Sequence, residues 1–385
     1  MVVMGACRPR GSAALQDFTR PVYEPVYAVG FEIMGAKGRQ STILKTTRPW
    51  QGTSGEETAL FIARNGEPTP AGFTGQTVPG GAGRIVCMSS SYVAMLAELN
   101  ATDRIVAVSG LAYVSNDSVA SRRETIAEVG YEGHIDYETL VAMAPDLVLL
   151  YGLDGMSPME AKLRELGIPF VYMGDYLEAH PLGKAEWLVA VAEMLGDRAA
   201  GEAVFAELVP RYEALKARVD SAEQAFAKTV SDADGAAAAA VFRPDVMLNA
   251  PYGDSWFMPA DGSYVVCLIR DAGGHYLYER NRGTRSVPVD METAMRLTSE
   301  ADVWCGLGRI ATLDELKRLL PNMAGMPCVA AGRVYNDDKR LNAAGGNDYW
   351  ESGIVHPDWV LRDWIKMLHP ELVPEEEFVY FRKLE

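Results

Sequence analysis

The sequence predicts an α/β protein: two Rossmann-like lobes with mostly parallel sheets, joined by a single long helix and preceded by a small β-rich extension. Short apolar runs alternate with helical patterns from residue 84 onward, as in a parallel sheet covered on both faces. A long helical pattern follows Pro181, and the alternation begins again near residue 246. These observations divide the chain into residues 1–83, 84–181, 182–230 and 231–385.

The first of these ranges is predicted to form the β-rich extension. Strand-like runs occupy residues 27–31 and 41–45, and a glycine-rich stretch at residues 74–84 is typical of a connector. Small residues precede Cys7, as at the end of a lipoprotein signal, although no apolar segment comes before them. We therefore expect one of two explanations. Either the true start of the chain lies upstream and Cys7 is a lipid anchor, or the likeness of this segment to a lipoprotein signal is a coincidence.

Strands and helices are predicted to alternate in both lobes. The predicted strands are residues 84–88, 105–108, 147–151, 170–173, 246–249, 302–306 and 334–336. The predicted helices are residues 91–99, 137–144, 158–166, 263–272, 290–297 and 313–320, with bridging helices at residues 184–194 and 199–227. An Asp followed two residues later by a Glu begins a helix in each lobe, at Asp136 and at Asp290. This repeated helix start indicates that the two lobes are similar units.

Composition narrows the classes of function. Of the 385 residues, 48% are hydrophobic and 23% are charged, which is the balance of a folded globular protein. The formal net charge is −16 without a cluster of Lys or Arg, which argues against nucleic acid as a partner. No apolar run reaches the roughly 18 residues of a membrane-spanning helix. Four cysteines lie singly in apolar runs, which predicts buried free thiols at Cys87, Cys267, Cys305 and Cys328.

The motifs of common enzymes are missing from the sequence. It contains no GxSxG elbow, no Walker loop, no dinucleotide-binding glycine motif that opens a helix, and no HExxH. The five histidines are widely spread and the cysteines lack the spacing of a zinc site, so we expect no metal site and no cofactor. A binding protein is therefore favoured over an enzyme.

Aromatic, Ser and Arg residues collect near the ends of predicted strands, where open α/β sheets bind ligands. The candidate ligand-binding residues are Ser89, Ser90, Ser91, Tyr92, Tyr113 and Tyr151 in the first lobe, and Trp256, Met258, Arg333, Tyr335 and Arg340 in the second. Structural alternatives remain open: the serines suit a helix cap, Trp256 suits the core, and the arginines suit a solvated strand end.

The order of elements and several short segments resemble the periplasmic binding proteins of ABC importers that carry ferric siderophores, haem or cobalamin. The resemblance covers residues 84 to 370 and rests on the segments RIVCMS at 84–89, PDLV at 145–148, LGIPFV at 166–171 and DAGG at 271–274, together with the long helix. Residues 48–52 and 347–353 resemble a subgroup with an added N-terminal segment. The resemblance implies a ligand cleft between two lobes bridged by a rigid helix, and only modest closure on binding.

The same resemblance implies a location and partners. The protein is expected in the periplasm or on the outer face of the cytoplasmic membrane, with Cys7 as the lipid anchor. In this family a glutamate on each lobe docks on arginines of the membrane permease; Glu160 lies at a comparable place in the first lobe, and Asp261 is the nearby carboxylate in the second. We expect a monomer that binds a small-molecule metal chelate and an ABC importer permease.

The ligand expected from the sequence is an iron chelate. Arg333 and Arg340 would offset the negative charge of a ferric siderophore, which places this class ahead of cobalamin. Haem is less favoured because no His or Tyr stands out as an axial ligand. Two other classes stay open: an enzyme on the same frame, such as a chelatase or a nitrogenase-like component, and a surface adhesin.

Overall fold

The computed structural model describes residues 14–53, 55–131, 133–153, 155–231, 242–281 and 285–385. Within them the chain forms three separate five-stranded sheets and a two-stranded ribbon. The predicted fold class is confirmed, because two α/β lobes with mostly parallel sheets are connected by consecutive helices. Cys7 lies outside the described residues. Among these residues no helix combines the length and the apolar character needed to cross a bilayer.

The extension forms a five-stranded sheet that is antiparallel except at its last strand. Its strands are β1 (Arg20–Tyr23), β2 (Phe31–Gly35), β3 (Thr42–Thr46), β4 (Thr58–Ala63) and β5 (Gln76–Pro79). The predicted connector at 74–84 was therefore wrong in part, because β5 lies within it. The predicted strand at 27–31 was also wrong. Backbone N–H groups of Val26, Tyr27 and Ala28 donate to the buried Glu186 carboxylate at 2.7 to 2.8 Å instead of to a neighbouring strand.

The first lobe contains an all-parallel sheet in the order β10-β9-β6-β7-β8. Its strands are β6 (Ile85–Cys87), β7 (Ile105–Val108), β8 (Ala127–Glu128), β9 (Leu147–Leu150) and β10 (Phe170–Tyr172). Its helices are α1 (Ser90–Glu98), α2 (Asp117–Ala120), α3 (Tyr137–Ala142) and α4 (Met159–Leu166). After β6 the chain adds β7 and β8 on one side and then β9 and β10 on the other, so the direction of strand addition reverses between β6 and β9.

Two consecutive helices form the bridge: α5 (Pro181–Leu195) and α6 (Arg198–Ser231). All of α5 is buried, and the 34 residues of α6 span about 51 Å. The structure has the two bridging helices that the sequence predicted, and they are separated at Gly196, whose φ of +87° is readily adopted only by glycine. The bridge is nevertheless continuous, because α6 packs on α5 and on the last helix of the second lobe.

The second lobe has the sheet order β13-β11-β15-β16-β17, parallel except for its last strand. Its strands are β11 (Asp245–Leu248), β12 (Trp256–Met258), β13 (His275–Tyr276), β14 (Val287–Val289), β15 (Val303–Cys305), β16 (Val334–Asn336) and β17 (Arg382–Lys383), of which β12 and β14 form the ribbon. Its helices are α7 (Tyr264–Asp271), α8 (Met291–Glu300), α9 (Leu313–Leu319), α10 (Pro327–Ala330) and α11 (Pro357–Leu368). The topology switches between β11 and β15. Asp136 and Asp290 cap α3 and α8 in the same way, each accepting a backbone N–H three residues on.

Candidate functional site

A pocket of about 510 Å³ opens at the carboxyl ends of β6, β7 and β9 in the first lobe. We call it the tyrosine pocket, because Tyr113, Tyr131 and Tyr151 line it together with Ser89 and Ser90. Tyr113 is 52% exposed and Tyr131 is 45% exposed, and their rings meet edge to face with centroids 6.4 Å apart. Partial burial raises the pKa of Tyr131, and the neighbouring Tyr113 and Glu128 add to the effect. The pocket thus presents neutral phenol and hydroxyl groups at the switch point of the sheet.

The predicted serine cluster is divided between pocket and core. Ser89 caps α1, accepting the Ser91 N–H at 3.3 Å, and also lines the pocket, so the cap and the ligand interpretations describe the same residue. Ser91 and Tyr92 are buried beneath it at 7% and 1% exposure and have little surface for a ligand. Tyr131 was missed by the sequence analysis. It follows the two-residue edge strand β8, and recognition of that strand would have found it.

A second pocket, of about 310 Å³, lies beyond β11, β15 and β16 of the second lobe. We call it the aromatic pocket, and its rings are Tyr176 from the first lobe and Tyr264, Tyr349, Trp350, Trp364 and Phe381 from the second. Trp350 is half exposed, whereas Trp364 is buried. Asp337, which directly follows β16, is the one charged residue among the described residues that line this pocket. The pocket therefore combines flat apolar surface with a single carboxylate.

The residues predicted for the second lobe lie elsewhere. Trp256 and Met258 have no exposed surface, because the β12 ribbon packs them into the core. The Trp256 indole N–H donates to the Leu248 carbonyl at 2.8 Å, and its ring stacks on Trp304. The packing alternative therefore describes both residues, and neither presents a surface to a ligand in this structure.

The predicted arginines are also engaged within the second lobe. Arg340 pairs with Asp348 at 3.0 Å, and Arg333 donates to the Met367 carbonyl at 3.4 Å. Tyr335 is 8% exposed inside β16. Neither arginine lines either pocket among the described residues. The charge argument for an anionic siderophore thus loses its structural basis.

The two lobes are tied together beside the pockets. The carboxylate of Glu351 in the second lobe accepts the backbone N–H groups of Ser115 and Asn116, which follow β7 in the first lobe, each at 2.7 Å. Burial raises the pKa of Glu351 to about 7, with a smaller contribution from Asp348. Further contacts join Asn342 Nδ2 to the Ala112 and Val114 carbonyls at 2.9 and 3.3 Å, and His356 Nε2 to Glu98 Oε1 at 2.9 Å. The loops beyond the strands of the two sheets therefore face one another.

The loop at residues 48–53 of the extension reaches both lobes. The Trp50 ring packs edge to face on Tyr172, with centroids 5.2 Å apart. A Cβ placed on Gly52 would lie 3.1 Å from Nη2 of Arg285 in the second lobe. The extension is thus part of the wall between the lobes, which no local sequence pattern indicated.

The predicted docking carboxylates already have partners in their own lobes. Glu160 is 9% exposed, accepts the Tyr172 hydroxyl at 2.8 Å and pairs with Arg164 at 2.7 Å. Asp261 lies 3.7 Å from the Arg270 guanidinium. Their role in docking stays a prediction.

One cluster of metal-ligand types forms through the fold alone. The cluster lies at the junction of the bridge and the second lobe and consists of His180, Cys267 and Asp271. Each residue offers one ligand atom, and these atoms lie within 4.8 Å of one another. His180 Nδ1 caps α5, the Tyr212 hydroxyl donates to Asp271, and the Lys216 ammonium lies 3.6 Å from the same carboxylate. These contacts account for the cluster without an ion. Cys87, Cys305 and Cys328 are buried free thiols as predicted, whereas Cys267 is only partly buried.

Comparisons with known proteins agree with this architecture. The model of the family described as periplasmic binding protein matches residues 85–341. An uncharacterised lipoprotein of Methanocaldococcus jannaschii is 26% identical over 314 residues, covering 78% of this chain and 68% of the relative. A periplasmic haem-binding protein from Pseudomonas aeruginosa has a TM-score of 0.57 at 16% identity, covering 79% of this chain and 98% of that chain. A periplasmic binding protein from Veillonella parvula has the same TM-score at 12% identity, covering 86% of this chain and 99% of that one.

Proposed function

The chain belongs to the periplasmic binding protein family, and from that membership we propose that it is the extracytoplasmic substrate-binding protein of an ABC importer, with an iron chelate as its ligand. The observation that carries the proposal is the pair of open pockets at the switch points of two sheets, held together by contacts between the lobes. A ligand that spans both pockets would be gripped without being chemically changed.

The tyrosine pocket supports iron as the metal of the chelate. A phenol oxygen is one of the groups by which proteins hold ferric haem iron, and Tyr113 offers its hydroxyl at a half-exposed position. The rings of the aromatic pocket provide flat surface for the organic part of a chelate. A ferric siderophore remains the primary candidate from the sequence.

Haem is a second candidate, which Tyr113 and Tyr131 favour. The sequence analysis placed haem last because no axial ligand stood out, but the fold brings these two phenols together at the mouth of one pocket. The haem-binding protein with a similar fold gives this candidate further support.

Binding without chemistry agrees with the pocket residues. Among the described residues that line the tyrosine pocket, none is a His, Asp or Glu that could serve as a general base for the serine hydroxyls. The lipoprotein relative supports a location on the outer face of the cytoplasmic membrane, with Cys7 as the proposed anchor. The proposed partner is an ABC importer permease.

A tryptophan fluorescence titration tests this function. Ferric siderophores, haemin and cobalamin are added separately, and Trp350 is expected to report binding because it lines the aromatic pocket and is half exposed. We expect a saturable change in fluorescence with an iron chelate. Trp350→Phe should largely remove this change. Trp359→Phe should retain it, because Trp359 stacks on His356 and lines neither pocket. No change with any of the three would show that the ligand class is wrong.

A further inference from the structure

The carboxylate of Asp337 differs from the other acidic groups around it. Asp338 pairs with Arg382 at 2.6 Å and Asp348 pairs with Arg340 at 3.0 Å. By contrast, no ion pair or hydrogen bond joins the Asp337 carboxylate to another side chain of the described residues, and only its main-chain oxygen accepts Asn347 Nδ2. Asp337 is partly exposed, and a carboxylate that has lost part of its hydration is normally paired. Among the described residues Asp337 therefore has no side-chain partner, and only a backbone N–H, its own, stabilises the carboxylate at the end of β16.

Two neutral polar groups in the walls of the same pocket also lack partners. The Trp364 indole N–H and the Ser263 hydroxyl are buried, and neither is hydrogen-bonded within the described part of the chain. Polar atoms left unpaired in one pocket are typical of a site whose ligand supplies the missing partners. These two groups, beside a carboxylate that lacks a side-chain partner, point to recognition of polar, hydrogen-bonding chemistry in addition to flat surface.

The Lys184 side chain lies beside this pocket, and its positive charge already has partners. The Lys184 ammonium lies over the Tyr264 ring at 4.2 Å and interacts with Asp175 and Glu178. Burial, together with Asp338, raises the pKa of Asp337 to about 6, so the carboxylate still carries its charge at neutral pH. The tyrosine pocket adds no cation, because its described lining residues carry no charge. The described lining of the two pockets is therefore net negative, and that of the second pocket is aromatic.

We propose that the ligand carries a cationic nitrogen, such as a primary ammonium group, that pairs with Asp337 among the rings of the aromatic pocket. This inference rests on the proposed function and specifies the charge class of its chelate: neutral or cationic overall, not a polyanion. A cation gains both from a desolvated carboxylate and from the faces of the surrounding rings. A triscatecholate anion would place negative charge against Asp337 with no arginine in either pocket to offset it.

Two ferric trihydroxamate chelates with one iron-binding core provide the test. One carries a free primary ammonium group, and in the other that group is acetylated; a ferric triscatecholate is the third probe. In the unaltered protein we expect the ammonium chelate to bind about tenfold or more tightly than its acetylated form. The triscatecholate should bind most weakly. Equal affinity for the ammonium and acetylated chelates would overturn the inference.

Variants identify the group responsible. Asp337→Asn should reduce the preference for the ammonium chelate to about twofold or less, because the carboxylate is removed at nearly constant shape. Asp254→Asn makes the same charge change at an exposed loop position of the second lobe and should keep the preference. A preserved preference in Asp337→Asn would overturn the assignment. If Asp337→Asn does not fold, the comparison of the two chelates in the unaltered protein still decides.

The outcomes separate this inference from the proposed function. Binding of the chelates without regard to charge would leave the iron-chelate function intact and remove only the role of Asp337. Absence of binding by all three chelates and by haemin would overturn both, whereas binding of haemin alone would overturn only this inference.

Discussion

The two lobes share a sheet topology but offer a ligand different chemistry. In each lobe the pocket lies where the strand order reverses, between β6 and β9 or between β11 and β15. The first pocket presents phenols and hydroxyls, whereas the second presents rings around the Asp337 carboxylate. The fold thus gives both pockets the same place relative to their sheets, and the residues just beyond each strand give them different chemistry.

The largest expected effect is a difference in stability between a core tryptophan and a pocket tryptophan of the second lobe. Trp256→Ala should lower the free energy of unfolding by about 4 kcal/mol, because it empties a fully buried site against Trp304 and leaves the Leu248 carbonyl unpaired. Trp350→Ala, at a half-exposed ring of the aromatic pocket, should cost less than about 1 kcal/mol and instead weaken ligand binding. Urea unfolding of the two variants measures the difference.

A large loss of stability in Trp256→Ala would support a packing role for Trp256 in place of the ligand-binding role expected from the sequence. Equal stability of Trp256→Ala and the unaltered protein would contradict the packing account. If Trp350→Ala lowered the free energy of unfolding as much as Trp256→Ala does, the aromatic pocket would be part of the core.

Four of the six binding residues predicted for the first lobe line its pocket, because they follow strands with clear patterns. Ser89 and Tyr151 come directly after buried apolar runs, and the rule that ligands bind beyond the carboxyl ends of parallel strands placed them. Tyr92 was misjudged because helical periodicity turns it inward, two residues into α1. Local pattern and topology together were sufficient here.

None of the five residues predicted for the second lobe lines its aromatic pocket, because that pocket depends on long-range contacts. Tyr335 was chosen although it lies inside β16. The rule that ligands bind beyond the carboxyl end of a strand selects Asp337 instead, which directly follows β16 and lines the pocket. Tyr349 and Trp350 lie in short 3-10 turns that have no hydrophobic period, and Tyr176 joins them from the other lobe. Such residues meet only through the packing of the lobes, which a single sequence does not specify.

The contact between the lobes should be pH-dependent. Burial raises the pKa of Glu351 to about 7, above its value in an unfolded chain, so the folded protein binds a proton that the unfolded chain has released between about pH 4.5 and 7. Stability from this group is therefore present below that window and is lost as the pH rises through it, by up to about 3 kcal/mol. Asp175 and Asp337, whose pKa values burial raises to about 6, act in the same direction.

Glu351→Gln isolates the contribution of this residue. The variant should show a shallower fall in the free energy of unfolding between pH 5 and pH 8 than the unaltered protein, measured by urea unfolding at each pH. Glu375→Gln, at an exposed position of the same lobe, should keep the original slope. The same slope in both variants would contradict a raised pKa at the lobe contact.

The smallest expected effect compares one phenol from each lobe. Tyr113→Phe removes a half-exposed hydroxyl, so it should change the free energy of unfolding by less than about 0.5 kcal/mol. It should weaken iron-chelate binding about tenfold, because that hydroxyl is the proposed contact with the metal complex. Tyr349→Phe removes a hydroxyl bonded to Tyr264 at 3.2 Å and should weaken binding by less than about threefold. Equal losses, measured by fluorescence titration, would mean that the two lobes do not divide the ligand between metal and organic part, because a phenol of either lobe would then serve equally well.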